Sequence, residues 1–208
     1  MTAAEKPAEG KSHRWKDARQ ADSAQLKGLA HPLRIAIFDA LTTYGPATSA
    51  MLAHRLGEST GSMSYHLRQL ARHGFIVDVE DEGTARERYW RRAPGALAIG
   101  PAEDDPSPAM RSITHSLMRE INSRAAHHVQ EFVDRAEDEL PREWMEASSI
   151  SSASMELTVE ELAELVDEVS ARIAARRQAD GGPRGIPGAR RVQIQFHAFP
   201  LMDAEPTP

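Results

Sequence analysis

Between residues 60 and 72 the chain reads TGSMSYHLRQLAR, a stretch in which hydrogen-bonding side chains fall on one side of a helical projection. At about 3.6 residues per turn, Met63, Leu67, Leu70 and Ala71 form an apolar stripe. Gly61, Ser62, Ser64, Tyr65, Arg68, Gln69 and Arg72 lie opposite it, neutral at the start and cationic at the end. Small hydroxyl residues at Thr60, Ser62 and Ser64 admit close approach to base edges and phosphates, and the N–H groups of a helix N-terminus attract a phosphate. Tyr65 can meet a thymine methyl or a phosphate, Gln69 an adenine edge, and Arg68 and Arg72 a guanine or the backbone. The chemistry is that of reading duplex DNA. The alternative is an ordinary amphipathic helix with a solvated polar face.

A second cationic set follows. Arg86, Arg88 and Arg92 recur with period two, so on a strand they share a face suited to phosphate contact or to a narrow minor groove. Glu80, Asp81 and Glu82 oppose that role, because an acidic tip repels phosphate unless it points away or pairs with the arginines. Tyr89 and Arg91 take the other face, with Tyr89 expected in the core.

These residues need a scaffold, and the flanking pattern supplies one. Ser23 is placed to cap a short helix carrying Leu26 and Leu29, and His31-Pro32 restarts the chain into a helix with Leu33, Ile37, Ala40 and Leu41, stopped by Gly45-Pro46. Thr48 caps a helix bearing Met51, Leu52 and Leu56 that ends at Gly57; Thr60 caps the next, closed by Gly74. Phe75 to Val79 then reads as a strand, Glu80 to Ala85 as a hairpin turn and Arg86 to Arg92 as the returning strand. Helices, a tight turn, a further helix and a hairpin make a winged helix-turn-helix.

The chain has 208 residues, Lys+Arg 25 against Asp+Glu 31, and no cysteine. Without cysteine there is no disulfide framework, Cys-ligated zinc, iron-sulfur cluster or thiol nucleophile. No run approaches the roughly 18 apolar residues of a membrane span, and the N-terminus lacks an apolar signal core, so a cytoplasmic protein without membrane contact is expected. Charge is uneven: residues 22–92 hold nine basic and eight acidic residues, whereas 103–168 hold seventeen acids and five arginines. Two halves of such different charge are expected to meet different partners.

Composition divides the chain into a flexible basic arm over 1–21, with Lys11, Arg14, Lys16 and Arg19 around Trp15, a DNA-binding unit over 22–92, a Pro- and Gly-rich linker over 93–108, a C-terminal unit over 109–201 and a tail over 202–208. In the C-terminal unit Met110, Ile113, Leu117, Ile121, Ala125, Val129 and Phe132 recur at steps of three or four. A helix this long is expected to bury its seam against a second chain, and two recognition helices about one DNA turn apart read a palindrome. Thr158 and Glu161 form a capping box for another helix. Ser148 to Leu157 and the alternating Arg191 to Phe199 read as strands that would pair beneath it. The expected fold is mainly α with small β: a winged helix-turn-helix, a long dimerisation helix and a small α+β cap.

The runs LKGLAHPLRIAIFDAL, SAMLAHRLGESTGSMSYHLRQLARHGFIV and TARERYWRR resemble the ArsR-type winged-helix repressors of bacteria. Their recognition-helix signature S-x-H-L-x-x-L-x-x-x-G is met by Ser64, His66, Leu67, Leu70 and Gly74, and an H-P-x-R helix start by His31, Pro32 and Arg34. The likeness covers about 70 residues and is that of a longer, actinobacterial-like member with a C-terminal extension. It implies a homodimeric regulator, a repressor rather than an activator, whose fourth helix enters the major groove beside the wing. It makes Ser62, Ser64, Tyr65 and Arg68 the leading contacts and turns His66 inward or toward a phosphate.

His115, His127, His128 and Glu131 resemble the dimer-helix site of zinc and nickel sensors of that family, although Ile113 stands where those have aspartate and the second pair is offset by one residue. A metal-responsive sensor is therefore an alternative, with no metal or other cofactor as the main expectation. Trp144, Met145, Met155, Phe196 and Phe199 would line an apolar pocket for a small-molecule effector of unknown identity. No phosphate loop, nucleophile elbow or carboxylate pair suggests an enzyme, and Ser64 and His66 lie on different helix faces. A winged helix that binds protein rather than DNA is a further alternative.

Overall fold

The computed structural model describes residues 18–84, 87–180 and 187–203. In chain order these form β1 (Ala18–Gln20), α1 (Ser23–Leu29), α2 (Pro32–Tyr44), β2 (Ala47–Thr48), α3 (Ser49–Leu56), α4 (Thr60–Arg72), β3 (Ile76–Thr84), β4 (Glu87–Arg92), β5 (Ala96–Ala98), α5 (Pro108–Glu139), α6 (Arg142–Ala147) and α7 (Val159–Asp180). No helix among the described residues is long and apolar enough to cross a membrane.

Local chemistry sets the helix boundaries. Asp22, not Ser23, caps α1: its carboxylate accepts from the Gln25 N–H while the Gln25 side chain accepts from the Asp22 N–H. Pro32 opens α2 behind His31, whose Nδ1 accepts from the Leu33 N–H at 3.2 Å. Thr48 caps α3, and Gly57 ends it in the left-handed region at φ 68°, which an L side chain rarely adopts. Ser59 caps α4 through the Ser62 N–H, so Thr60 is the first helical residue rather than the cap.

Strands β2, β4 and β3 form an antiparallel sheet in that order. β3 runs on to Thr84, so residues 80–84 are strand and not turn; residues 85–86, Arg86 among them, lie outside the described residues. A second, two-stranded sheet pairs β1 with β5 in parallel, Arg19 opposite Leu97. This changes the expected reading of the last residues of the arm and of the linker. The close of the supposed flexible arm is a strand followed by the fully buried Ala21, whose N–H donates to the Ala98 carbonyl at 3.0 Å. The supposed linker is docked: Asp104 accepts from the Ser23 N–H, Lys27 pairs with Asp105 at 3.3 Å, and Ala98 and Ala102 are buried. Pro and Gly prevent helix but not strand pairing, and composition is blind to a partner some 80 residues away. The basic cluster Lys11, Arg14, Trp15 and Lys16 lies outside the described residues.

The core gathers Leu26, Leu29, Ile37, Leu52, Met63, Leu67, Leu70, Phe75 and Ile76, joined by Met110 and Leu117 of α5. Met110 and Leu117 are each only 1% exposed, and Ile113 and Ile121 lie against the same core. The first half of the expected dimer seam is therefore satisfied within its own chain. Periodicity shows that a helix face is buried but not by whom. Farther along, Ala125, Val129 and Phe132 are half-buried and Val133 is 60% exposed.

Helix α7 has the expected capping box, with the Thr158 N–H donating to Glu161 and the Glu161 N–H to the Thr158 hydroxyl. The α+β cap does not form: residues 148–157 and 191–199 carry no strand. Alternation of Val192, Ile194 and Phe196 makes a strand only where a second edge is supplied, and none is supplied among the described residues. The C-terminal segment instead crosses the molecule by side-chain contacts, Arg191 donating to the Thr43 carbonyl at 2.9 Å and Gln195 to the Ala125 carbonyl at 2.6 Å.

Candidate nucleic-acid interface

Helix α4 is seated by Met63, Leu67 and Leu70, all buried. Its outward surface is a single line: Gly61, Tyr65, Arg68 and Arg72 are exposed at steps of four, three and four residues, which keeps them on one helical face. At 1.5 Å per residue the line runs about 16 Å. Tyr65 is 52% exposed, and its ring meets His66 edge-on at 5.1 Å between centroids. Thr60 is exposed at the helix start, whereas Ser62 and Gln69 are half-buried beside the line.

Ser64 is held differently. Its hydroxyl donates to the Thr60 carbonyl at 2.8 Å and lies 3.2 Å from the Ser49 hydroxyl of α3. With the Ser64 proton directed at Thr60, Ser49 is left to donate across the turn. Ser64 thus joins the two helices of the helix-turn-helix, a role that its small polar side chain on the helix diagram did not reveal.

Behind α4 lies a cluster of cationic and titratable groups. The His66 and His31 rings stand 4.5 Å apart, and Arg34 of α2 donates to the Lys27 carbonyl at 3.4 Å. The His66 Nδ1 and Arg34 Nε atoms are buried without a hydrogen-bond partner among the described residues. Burial lowers the His66 pKa below its usual 6.5, and the nearby His31 and Arg34 lower it further, against a smaller opposing effect from Glu58. His66 is accordingly neutral and inward.

On the wing, the expected arginine row is modified. The face shared by Arg88 and Arg92 is that of Trp90, which is buried, and the Arg92 guanidinium lies 5.7 Å from the centre of the Phe38 ring. Arg88 remains outside and pairs with Asp78 at 3.5 Å. Trp90 rather than Tyr89 anchors the strand, and Arg91 is exposed on the opposite face. The larger apolar residue marked the inner face, and the arginines on either side of it obscured that signal.

The metal-site candidates of α5 do not converge as a set: His127 and His128 share Glu131, and His115 stands apart. His128 Nδ1 lies 3.4 Å from Glu131, His127 Nε2 lies 3.9 Å from the same carboxylate, and His128 Nε2 lies 3.8 Å from Asp39 of α2, a partner the sequence did not indicate. His115 is twelve residues, about 18 Å, farther up the helix. Among the described residues no group of three or more His, Cys, Asp or Glu is arranged to hold a metal ion. The proposed effector lining is dispersed as well, because Met155 and Phe199 project into solvent.

Residues 29–79 match the family model of a helix-turn-helix domain. No curated protein matches the chain at a significant level. Among solved structures, HlyU from Vibrio cholerae N16961 is similar at 21% identity and a TM-score of 0.31, covering 46% of this chain and 86% of that one. The transcriptional regulator Tm0710 from Thermotoga maritima is similar at 8% identity and a TM-score of 0.30, covering 77% and 90%. The domain match and the succession of α2, α3, α4 and the β3-β4 hairpin identify a winged helix-turn-helix domain in this chain.

Proposed function

We propose that the chain is a sequence-specific DNA-binding transcriptional regulator of ArsR type, acting as a homodimeric repressor on a palindromic operator in the cytoplasm. The observation that carries this reading is the exposed line Gly61, Tyr65, Arg68 and Arg72 on a helix whose opposite face is locked into the core. Gly61 lets the helix start approach a groove wall, Tyr65 offers a ring and a hydroxyl to base edges, and the two guanidiniums neutralise phosphates or bind guanine. Thr60 and Ser62 flank this line, with Gln69 beside it, and Arg88 on the wing is a backbone contact once released from Asp78.

The dimer rests on the distal part of α5. The helix is 32 residues long, about 48 Å, and beyond Ile121 it outreaches the core that buries its start. Ala125, Val129, Phe132 and the exposed Val133 are the residues for a second copy to cover. Repression is carried over from the family resemblance. Selection of bound duplexes from a random pool tests the whole reading: a recovered inverted repeat is the expected outcome, and no enrichment over the starting pool contradicts it.

A further inference from the structure

A cleft of about 750 Å³ opens between the last turn of α2, strand β2 and the outer side of α3. Its floor is apolar, formed by the buried Ala40, Ala47 and Leu52. Its walls are Tyr44 and Met51, large side chains left 46% and 51% exposed. Neither is needed to close the core, and each turns a flat or adaptable surface to the opening. The polar part of the lining is the Arg55 guanidinium and the His54 imidazole, both exposed, and no lining residue is acidic. The Arg55 guanidinium lies over the Tyr44 ring, 3.7 Å from its centre.

A second guanidinium reaches the same edge from the far end of the chain. Arg191 donates to the Thr43 carbonyl and packs on Gly45, where a Cβ would lie 3.1 Å from the guanidinium. Gly45 also has φ +87°, a backbone conformation that L side chains rarely adopt. The cleft has the size of a small-molecule site, an apolar body and cations at its mouth. A bare phosphate does not suit it, because an apolar floor strips water from the anion and returns no hydrogen bonds.

We propose that this cleft binds a small aromatic carboxylate, its ring lying against Tyr44 and Met51 and its carboxylate pairing with Arg55 beside His54. The Tyr44 ring beneath Arg55 holds the guanidinium in place, and a planar guanidinium matches a carboxylate in two parallel hydrogen bonds. An occupant that wedges α3 from α2 acts on α4 through the Ser49–Ser64 contact. That last consequence rests on the DNA-binding role proposed above, whereas the binding itself does not.

The test uses the full-length protein without DNA, labelled with ¹³C at its eight methionine methyls, titrated with 2-naphthoate and, separately, with the uncharged 2-naphthalenemethanol. The Met51 methyl, assigned by its loss in Met51→Leu, shifts saturably with the acid while that of Met110, buried on α5, stays in place. The alcohol binds about tenfold more weakly. Arg55→Gln erases the preference for the acid, and Ala50→Trp, at an exposed lining position, blocks both ligands. An unmoved Met51 at millimolar naphthoate, equal binding of acid and alcohol, or a shift that survives Ala50→Trp overturns the proposal. With no duplex in the sample, failure of the α4 interface and failure of this site are separate results.

Discussion

The imidazoles of His31 and His66 lie 4.5 Å apart with their planes inclined by 44°, one capping α2 and the other buried on the inner side of α4. The His31 Nδ1 lone pair accepts the Leu33 N–H, and His66 sits beside Arg34 with no acceptor for an added proton at Nδ1.

Acid is therefore expected to loosen the seating of α4. Because the folded-state pKa of His66 is depressed, its contribution to stability is fully present above about pH 6.5. It declines as pH falls from there toward the folded-state pKa, since the unfolded chain takes up the proton first. Thermal melts at about pH 7.5 and about pH 5.5 should show a loss for the wild type that is smaller in His66→Phe. An equal loss in both proteins would contradict the role of His66.

The contact between the two helices of the helix-turn-helix gives a second expectation. Ser64→Ala removes the hydroxyl that joins Thr60 and Ser49 and should lower stability by about 1 kcal/mol in urea unfolding. It should alter base preference less than Tyr65→Ala does. A larger change of preference at Ser64 than at Tyr65 would return Ser64 to the DNA-contacting set.

Helix α5 separates intrachain packing from association. Leu117→Asp introduces a carboxylate into the chain's own core and should unfold the protein by circular dichroism. Phe132→Asp combined with Val133→Asp should leave it folded and shift sedimentation from dimer to monomer. Dimers that persist in the double variant would remove the distal α5 face as the interface.

The helices were legible because their signals are local: apolar spacing, Gly57 and Gly74 at the ends, and capping residues at the starts. Boundaries slipped by one residue where neighbouring side chains, Asp22 and Ser23 or Ser59 and Thr60, are equally able to cap. What was not legible depended on distant partners. Ala18–Gln20 is a strand only because Ala96–Ala98 lies beside it, and Val192, Ile194 and Phe196 have the pattern of a strand without an edge to join. The outward residues of α4 that the sequence singles out, Tyr65, Arg68 and Arg72, are exposed in the structure. The sequence did not separate Ser64, held by α3, from Tyr65, which stands clear, or reveal that Trp90 shares the arginine face of β4.

The most direct measurement is the salt dependence of binding to the selected duplex by fluorescence anisotropy, for the wild type, Arg68→Ala and Arg72→Ala. Each substitution should weaken binding across sequences and reduce the slope of log K against log salt by about one. Unchanged affinity and slope in both variants would contradict the assignment of the exposed α4 line to DNA.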